Sequence, residues 1–107
     1  YHGALSGLVK NALDYTEEMN KDERVYFDGR AIGSIGLGYG WQGPGTVLAQ
    51  LRAIGHALRG WNVPLGVAVN SAVVKFSADG CSDENIGKQI EIMASQVVQF
   101  ATMSKKI

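Results

Sequence analysis

Arg30-Ala31-Ile32-Gly33-Ser34-Ile35-Gly36 runs directly into Leu37-Gly38-Tyr39-Gly40-Trp41-Gln42-Gly43-Pro44-Gly45. The first seven residues are short, apolar and fringed by glycine, which predicts a buried strand. The next nine read as a glycine-rich loop. Pro44 suits the first turn of a following helix, where a missing N–H costs nothing. That helix carries Val47, Leu51, Ile54 and Leu58 at spacings of four, three and four. Arg59 suits its negative C-terminal end, and Gly60 is expected at the left-handed position that ends it. A second strand is predicted over Asn62–Val69, with Pro64 at an edge or among its first residues.

On the N-terminal side, Ser6 is a candidate cap for a helix from Gly7 to Met19. Leu8, Ala12, Tyr15 and Met19 form one apolar face, and Leu5, Val9 and Leu13 widen it, so two buried surfaces are expected. Asn20–Asp28 is a charged loop. Beyond the second strand, Ser71–Gly80 is irregular or a short hairpin. Ser82, followed by Asp83 and Glu84, marks the start of the last helix, with Ile86, Ile90, Met93, Val97 and Phe100 on one stripe. The order helix, strand, helix, strand, helix indicates an α/β protein with a parallel sheet. Two strands are few for such a sheet, which needs neighbours and cover, so further strands, N-terminal ones, are expected to belong to it.

The chain has 107 residues, the size of one small domain, with 46% hydrophobic and 19% charged residues, a globular composition. Ten basic and ten acidic residues balance, which argues against nucleic acid as a partner. The longest uncharged run, Ala31–Leu51, is broken by six glycines and a proline, so no membrane helix is expected. A single cysteine, Cys81, has no internal disulfide partner, which fits a reducing compartment. No acid occurs from Gly29 to Ala78, where Arg30, Arg52, Arg59 and Lys75 give +4, so an anion is expected to be favoured there unless those side chains are simply solvated.

Ligands of open α/β sheets bind outside the carboxyl ends of the strands, which makes Gly36–Gly45 the candidate site. Glycines there let backbone N–H groups approach a planar or anionic ligand. It is not a phosphate-binding P-loop, because Gly40–Gly45 is followed by Thr46 with no lysine. It is a weak dinucleotide fingerprint, because the acid expected about twenty residues on is missing. Tyr39 and Trp41 suit either stacking on a flat ring, a lid, or packing against a partner subunit. His56 reads as a polar-face helix residue. His2, in a loop, is open to a ligand or proton role. No metal-ligand cluster and no Ser/His/Asp arrangement is read, and Ser6 lacks a nucleophile-elbow setting.

Tyr1-His2-Gly3-Ala4-Leu5-Ser6-Gly7-Leu8-Val9-Lys10-Asn11-Ala12-Leu13-Asp14 resembles the P-E-Y-x-G-x-x-x-G-x-x-K-N-A-[IL]-D segment of the NAD(P)H-dependent FMN reductases. These are flavodoxin-like proteins that include azo- and quinone-reducing members and the related arsenic-resistance flavoproteins. Arg30–Gly36 is similar to their fourth strand, Gly38–Gly43 to their glycine-rich flavin loop, and Leu51-Arg52 to the L-R pair of the next helix. Trp61-Asn62-Val63-Pro64 and Phe76-Ser77-Ala78-Asp79-Gly80 continue the likeness. The family's G-S-x-R-x-x-S phosphate loop has no match in these residues. Tyr39 and Trp41 also make the second loop bulkier than the common S-x-G-G-x-G.

The resemblance implies a flavodoxin-like doubly wound parallel sheet, with residues 1–107 as the C-terminal portion of one domain. It implies FMN as cofactor and NAD(P)H as co-substrate, with electrons passed to a small molecule: a quinone, an azo compound or free flavin. A non-enzymatic electron carrier or a degenerate binding module is the alternative. The flavin would lie between the loops Tyr1–Leu5 and Gly36–Gly43, held by Tyr1, His2, Gly3, Ala4, Gly36, Gly38, Tyr39 and Gly40, with no catalytic acid or base. A homodimer or dimer of dimers through Leu5–Met19 and Val47–Leu58 and a cytoplasmic location are also implied. Lacking the phosphate loop, these residues alone are expected to bind FMN weakly and to be poorly stable.

Overall fold

The computed structural model describes residues 1–105. Helix α1 spans Gly7–Asp14 and is capped as expected, the Ser6 hydroxyl accepting from the Val9 N–H at 3.2 Å. The expected helix to Met19 changes character at Tyr15–Met19, which is a 3₁₀ segment. Thr16 Oγ1 donates to the Leu13 carbonyl at 2.6 Å, a back-bond that competes with the regular ladder. No residue of α1 is buried, and Leu8 is 82% exposed. Of the two expected buried surfaces, Leu5, Leu13 and Met19 are half-buried, and Leu8, Val9, Ala12 and Tyr15 are exposed. Leu5 ties its start to the rest of the chain, its N–H donating to Gln50 Oε1 at 2.7 Å.

Each predicted strand is divided in two. The first gives β1 (Ala31–Ile32) and β2 (Ile35–Gly38); the second gives β3 (Trp61–Asn62) and β4 (Val67–Asn70). These four strands pair in parallel, with Ile32 opposite Asn62 and Ile35 opposite Val67. The second strand carries two extra residues between those positions, and Pro64 lies among them. Its ring has no N–H for the ladder, so the chain loops out there. The Val67 N–H resumes the ladder at the Ser34 carbonyl, 3.1 Å away, while the looped-out Leu65 N–H donates to Gln96 Oε1 at 2.9 Å.

Helix α2 (Gln42–Ala57) and helix α3 (Glu84–Ser104) cover opposite faces of these strands. Gly36 and Gly38 lie beneath Pro44 and Leu48 of α2. Val67 and Val69 point the other way, into a buried cluster with Val63, Val74, Ile86 and Met93, the last two from α3. Small residues on one face and valines on the other let α2 sit close while α3 supplies the apolar filling. Asn62 joins β3 to α2: its Nδ2 donates to the Arg52 carbonyl at 2.8 Å, and Arg52 Nη1 donates to the Val63 carbonyl at 2.8 Å.

The end of α2 corrects one expectation. Arg59, not Gly60, takes the left-handed conformation, at φ 69°. The Arg59 N–H donates to the His56 carbonyl at 3.0 Å and the Gly60 N–H to the Gly55 carbonyl at 2.9 Å, a Schellman closure. Gly60 is needed for space instead, because a Cβ there would stand 2.0 Å from Ile32 Cδ1.

Ser71–Gly80 contains the hairpin alternative: β5 (Phe76–Ser77) pairs antiparallel with β6 (Gly80–Cys81). Helix α3 is capped by Asp83, whose Oδ1 accepts from the Ile86 N–H at 3.1 Å, not by Ser82. The Ser82 hydroxyl is taken by the Lys75 N–H at 2.8 Å. At the opposite end of the sheet from the glycine loop, the Trp61 ring stacks on Phe100, centroids 5.5 Å apart.

Candidate functional site

β2 and β4 end side by side at Gly38 and Asn70, and the chain after each strand is tied to its neighbour. The Ser71 N–H donates to the Gly38 carbonyl at 2.8 Å, and the Ser71 hydroxyl donates to the same oxygen at 3.1 Å. Asn70 is buried, and its Oδ1 accepts from the N–H of Gly40 at 2.8 Å and of Ala72 at 3.0 Å. Gly40 lies at φ 107°, a conformation that costs glycine little.

A cleft of about 730 Å³ opens at these strand ends, within the range of small-molecule sites. One wall is the turn Tyr1–Ala4, in which His2 and Gly3 have φ 52° and 80° and the Ala4 N–H donates to the Tyr1 carbonyl at 3.1 Å. Positive φ at both central positions is the pattern of a type I′ turn. The other wall is Leu37–Gly43, with Val47 at the base. Tyr39 and Trp41 stand 86% and 63% exposed on either side of Gly40.

The structure thus brings together Tyr1, His2, Gly3, Gly38, Tyr39 and Gly40 of the expected site. Ala4 lines a separate hollow with Gln50, Ala53 and Ile54. Gly36 is buried in the middle of β2 under α2 and does not line the cleft. Asn70 escaped the sequence reading. Gln42 and Gly43 lay inside the recognised loop without being singled out. Asn70 had a weak signal, an amide closing an apolar strand.

Among the described residues, no carboxylate side chain lines the cleft. The first turn of α2 faces it with N–H groups that have no partner inside the helix, and Trp41 provides no side-chain cap. The positive end of a sixteen-residue helix therefore points toward the opening. The +4 segment does not reinforce it: Arg30, Arg52, Arg59 and Lys75 all lie outside the cleft. Arg52 is held by the Val63 carbonyl, and Lys75 Nζ donates to the Ser71 carbonyl at 2.9 Å. His56 is exposed on α2, away from the cleft. Among the described residues, no three His, Cys, Asp or Glu side chains gather as metal ligands, and no helix is long and apolar enough to cross a membrane. The arrangement suits a flat group with hydrogen-bond acceptors along its edge, which main-chain donors and aromatic cover would hold.

The profile of the NADPH-dependent FMN reductases matches residues 1–74. The FMN-dependent NADPH-azoreductases of Staphylococcus aureus strains USA300 and N315 are each 32% identical to this chain over 107 residues, covering 97% of it and 53% of their own length. The chain spans about half the length of the curated relatives it matches. No solved structure matches it. With the match running through both walls of the cleft, the chain belongs to the family of NADPH-dependent FMN reductases.

Proposed function

We propose that the protein is an FMN-dependent oxidoreductase that passes electrons from NAD(P)H to a quinone, an azo compound or free flavin, and that the chain forms the ring-binding side of its site. The observation that carries this reading is the cleft between two glycine-bearing loops at the C-terminal ends of parallel strands. Gly3, Gly40 and Gly43 have no heavy atom within 4 Å of where a Cβ would stand, so a flat ring has room against their main chain. The residues present fit the isoalloxazine ring of FMN.

Held between Tyr1–Gly3 and Gly38–Gly43, FMN would supply the redox chemistry that links the nicotinamide to the acceptor. The residues around it bind and orient. The open N–H groups at the start of α2 favour the electron-rich edge of the ring and stabilise negative charge on it. Tyr39 and Trp41 supply aromatic surface at the mouth. On this reading no side chain acts as an acid or a base.

The same reading places residues 1–107 in a larger flavodoxin-like domain, cytoplasmic, with other parts holding the FMN phosphate. The two-strand pairing and the partial coverage of the relatives support the larger domain. It also takes the protein to be a homodimer or dimer of dimers through Leu5–Met19 and Val47–Leu58, a reading supported by α1, which has no buried residue. Sedimentation of the full-length protein as monomer alone at micromolar concentration would count against the dimer. The central test is to purify that protein, record its absorbance and follow NADPH loss with menadione. A flavin spectrum with NADPH consumption is expected. A yellow protein without turnover would indicate a carrier, and a colourless, inactive one would overturn the reading.

A further inference from the structure

We infer that Asn70 is a positioning residue for the cofactor loop, and that its side-chain oxygen sets which main-chain donors the loop presents to the flavin; this rests on the flavin reading above. Asn70 is the last residue of β4 and only 6% exposed. Its carbonyl oxygen accepts from the Val73 and Val74 N–H groups, at 3.2 and 3.0 Å, which fixes the turn beyond the strand. Its Oδ1 accepts from Ala72 in that turn and, across the sheet, from Gly40.

Two consequences follow. The Gly40 N–H is engaged at 2.8 Å by Oδ1 and is not available to a ligand, whereas Gln42 and Gly43, at the start of α2, line the cleft with N–H groups that have no partner inside the helix. The Gly40 backbone, at φ 107°, is also held at a joint between Tyr39 and Trp41. Releasing the bond leaves a glycine-rich segment free to turn, and with it both aromatic side chains. Asn70 is absent from the cleft lining, so it acts through Gly40 rather than by touching the ligand. An acceptor of this reach is specific to the site: leucine has the size but accepts no hydrogen bond, whereas aspartate keeps the oxygen.

The test compares full-length wild-type protein with Asn70→Leu and Asn70→Asp. The readouts are hydrogen exchange of the Gly40 amide in the FMN-free protein and the affinity for added FMN. Asn70→Leu is expected to speed Gly40 exchange at least tenfold while the Val67 and Val69 amides stay protected, and to weaken FMN binding tenfold or more. Asn70→Asp is expected to recover slow Gly40 exchange. If Asn70→Leu does not fold, Gly40→Ala reads the same joint from the loop side. Its Cβ meets nothing within 4 Å, but its φ is disfavoured, so loss of FMN affinity with an intact core is expected. Unchanged Gly40 exchange and FMN affinity within twofold of wild type, in whichever variant folds, would overturn the inference and leave the flavin reading standing. Wild-type protein that binds no FMN would overturn the flavin reading, and with it the cofactor role of Asn70, whatever the exchange rates.

Discussion

A Cβ on Gly36 would stand 2.6 Å from the carbonyl oxygen of Pro44 and 3.0 Å from the Leu48 nitrogen. The start of α2 therefore rests directly on the backbone of β2, and the height of that helix end above the strand is set by the missing side chain. Because both obstructing atoms are main chain, they cannot swing aside. Gly36→Ala is expected to destabilise the protein by about 1–3 kcal/mol, the usual cost of overpacking. It should also weaken FMN binding, because the first turn of α2 must lift. Urea unfolding and flavin titration measure the two effects. A variant as stable as the wild type would show that α2 is not seated by this contact.

Gly60 offers a contrast, since its obstruction is the tip of a side chain, Ile32 Cδ1. Gly60→Ala is expected to be destabilising, and Ile32→Val, which removes that methyl, should recover part of the loss. The double-mutant cycle should give a favourable coupling of about 0.5–3 kcal/mol. Strictly additive effects would refute the direct contact.

The two tryptophans occupy opposite ends of the strands: Trp41 lines the cleft, and Trp61 stacks on Phe100. Trp41→Ala is expected to weaken FMN binding about two- to tenfold, the worth of an aromatic stack, and to brighten the emission of bound flavin. Trp61→Ala should leave affinity within about twofold and lower the unfolding midpoint instead. Equal effects on affinity would contradict this division.

Tyr26 Oη donates to both carboxylate oxygens of Glu17, at 3.0 Å each. This hydrogen bond, with partial burial and the Glu17 charge behind it, raises the phenol above its ordinary value of 10.0. A raised folded-state value favours the protonated form, so the stabilisation is complete below about pH 10 and is lost as pH climbs through the higher folded value. The wild type is expected to be more stable than Tyr26→Phe at neutral pH, with the difference shrinking above pH 10. Denaturation midpoints across pH 7 to about 11 check it, and a difference that grows with pH would have the wrong sign.

Strand and helix order, the parallel pairing and the site loop were legible because each rests on local pattern. Apolar runs bounded by glycine mark the strands, and the spacing of Val47, Leu51, Ile54 and Leu58 marks α2. The break of each strand was not legible, since Gly33 and Pro64 become interruptions only when α3 and the looped-out backbone are in place. The cap of α3 shifted from Ser82 to Asp83 for a similar reason, as a hairpin partner, Lys75, claims the serine hydroxyl.

The candidate site divides the same way. Tyr39, Gly40 and Trp41 could be read directly from a glycine-rich segment that follows a strand, because a strand-to-helix connection there fixes where a ligand meets the backbone. Gly36 and Gly38 looked identical to Gly40 in that segment. Packing separates them: two lie under α2 to let it approach the sheet, and one adopts a positive φ at the mouth. Asn70 is thirty residues from Gly40, and only the parallel register that brings Gly38 opposite Asn70 places its amide on the loop. Local sequence sets conformational preference within a few residues, whereas the role of a small or polar side chain depends on what the folded sheet brings against it.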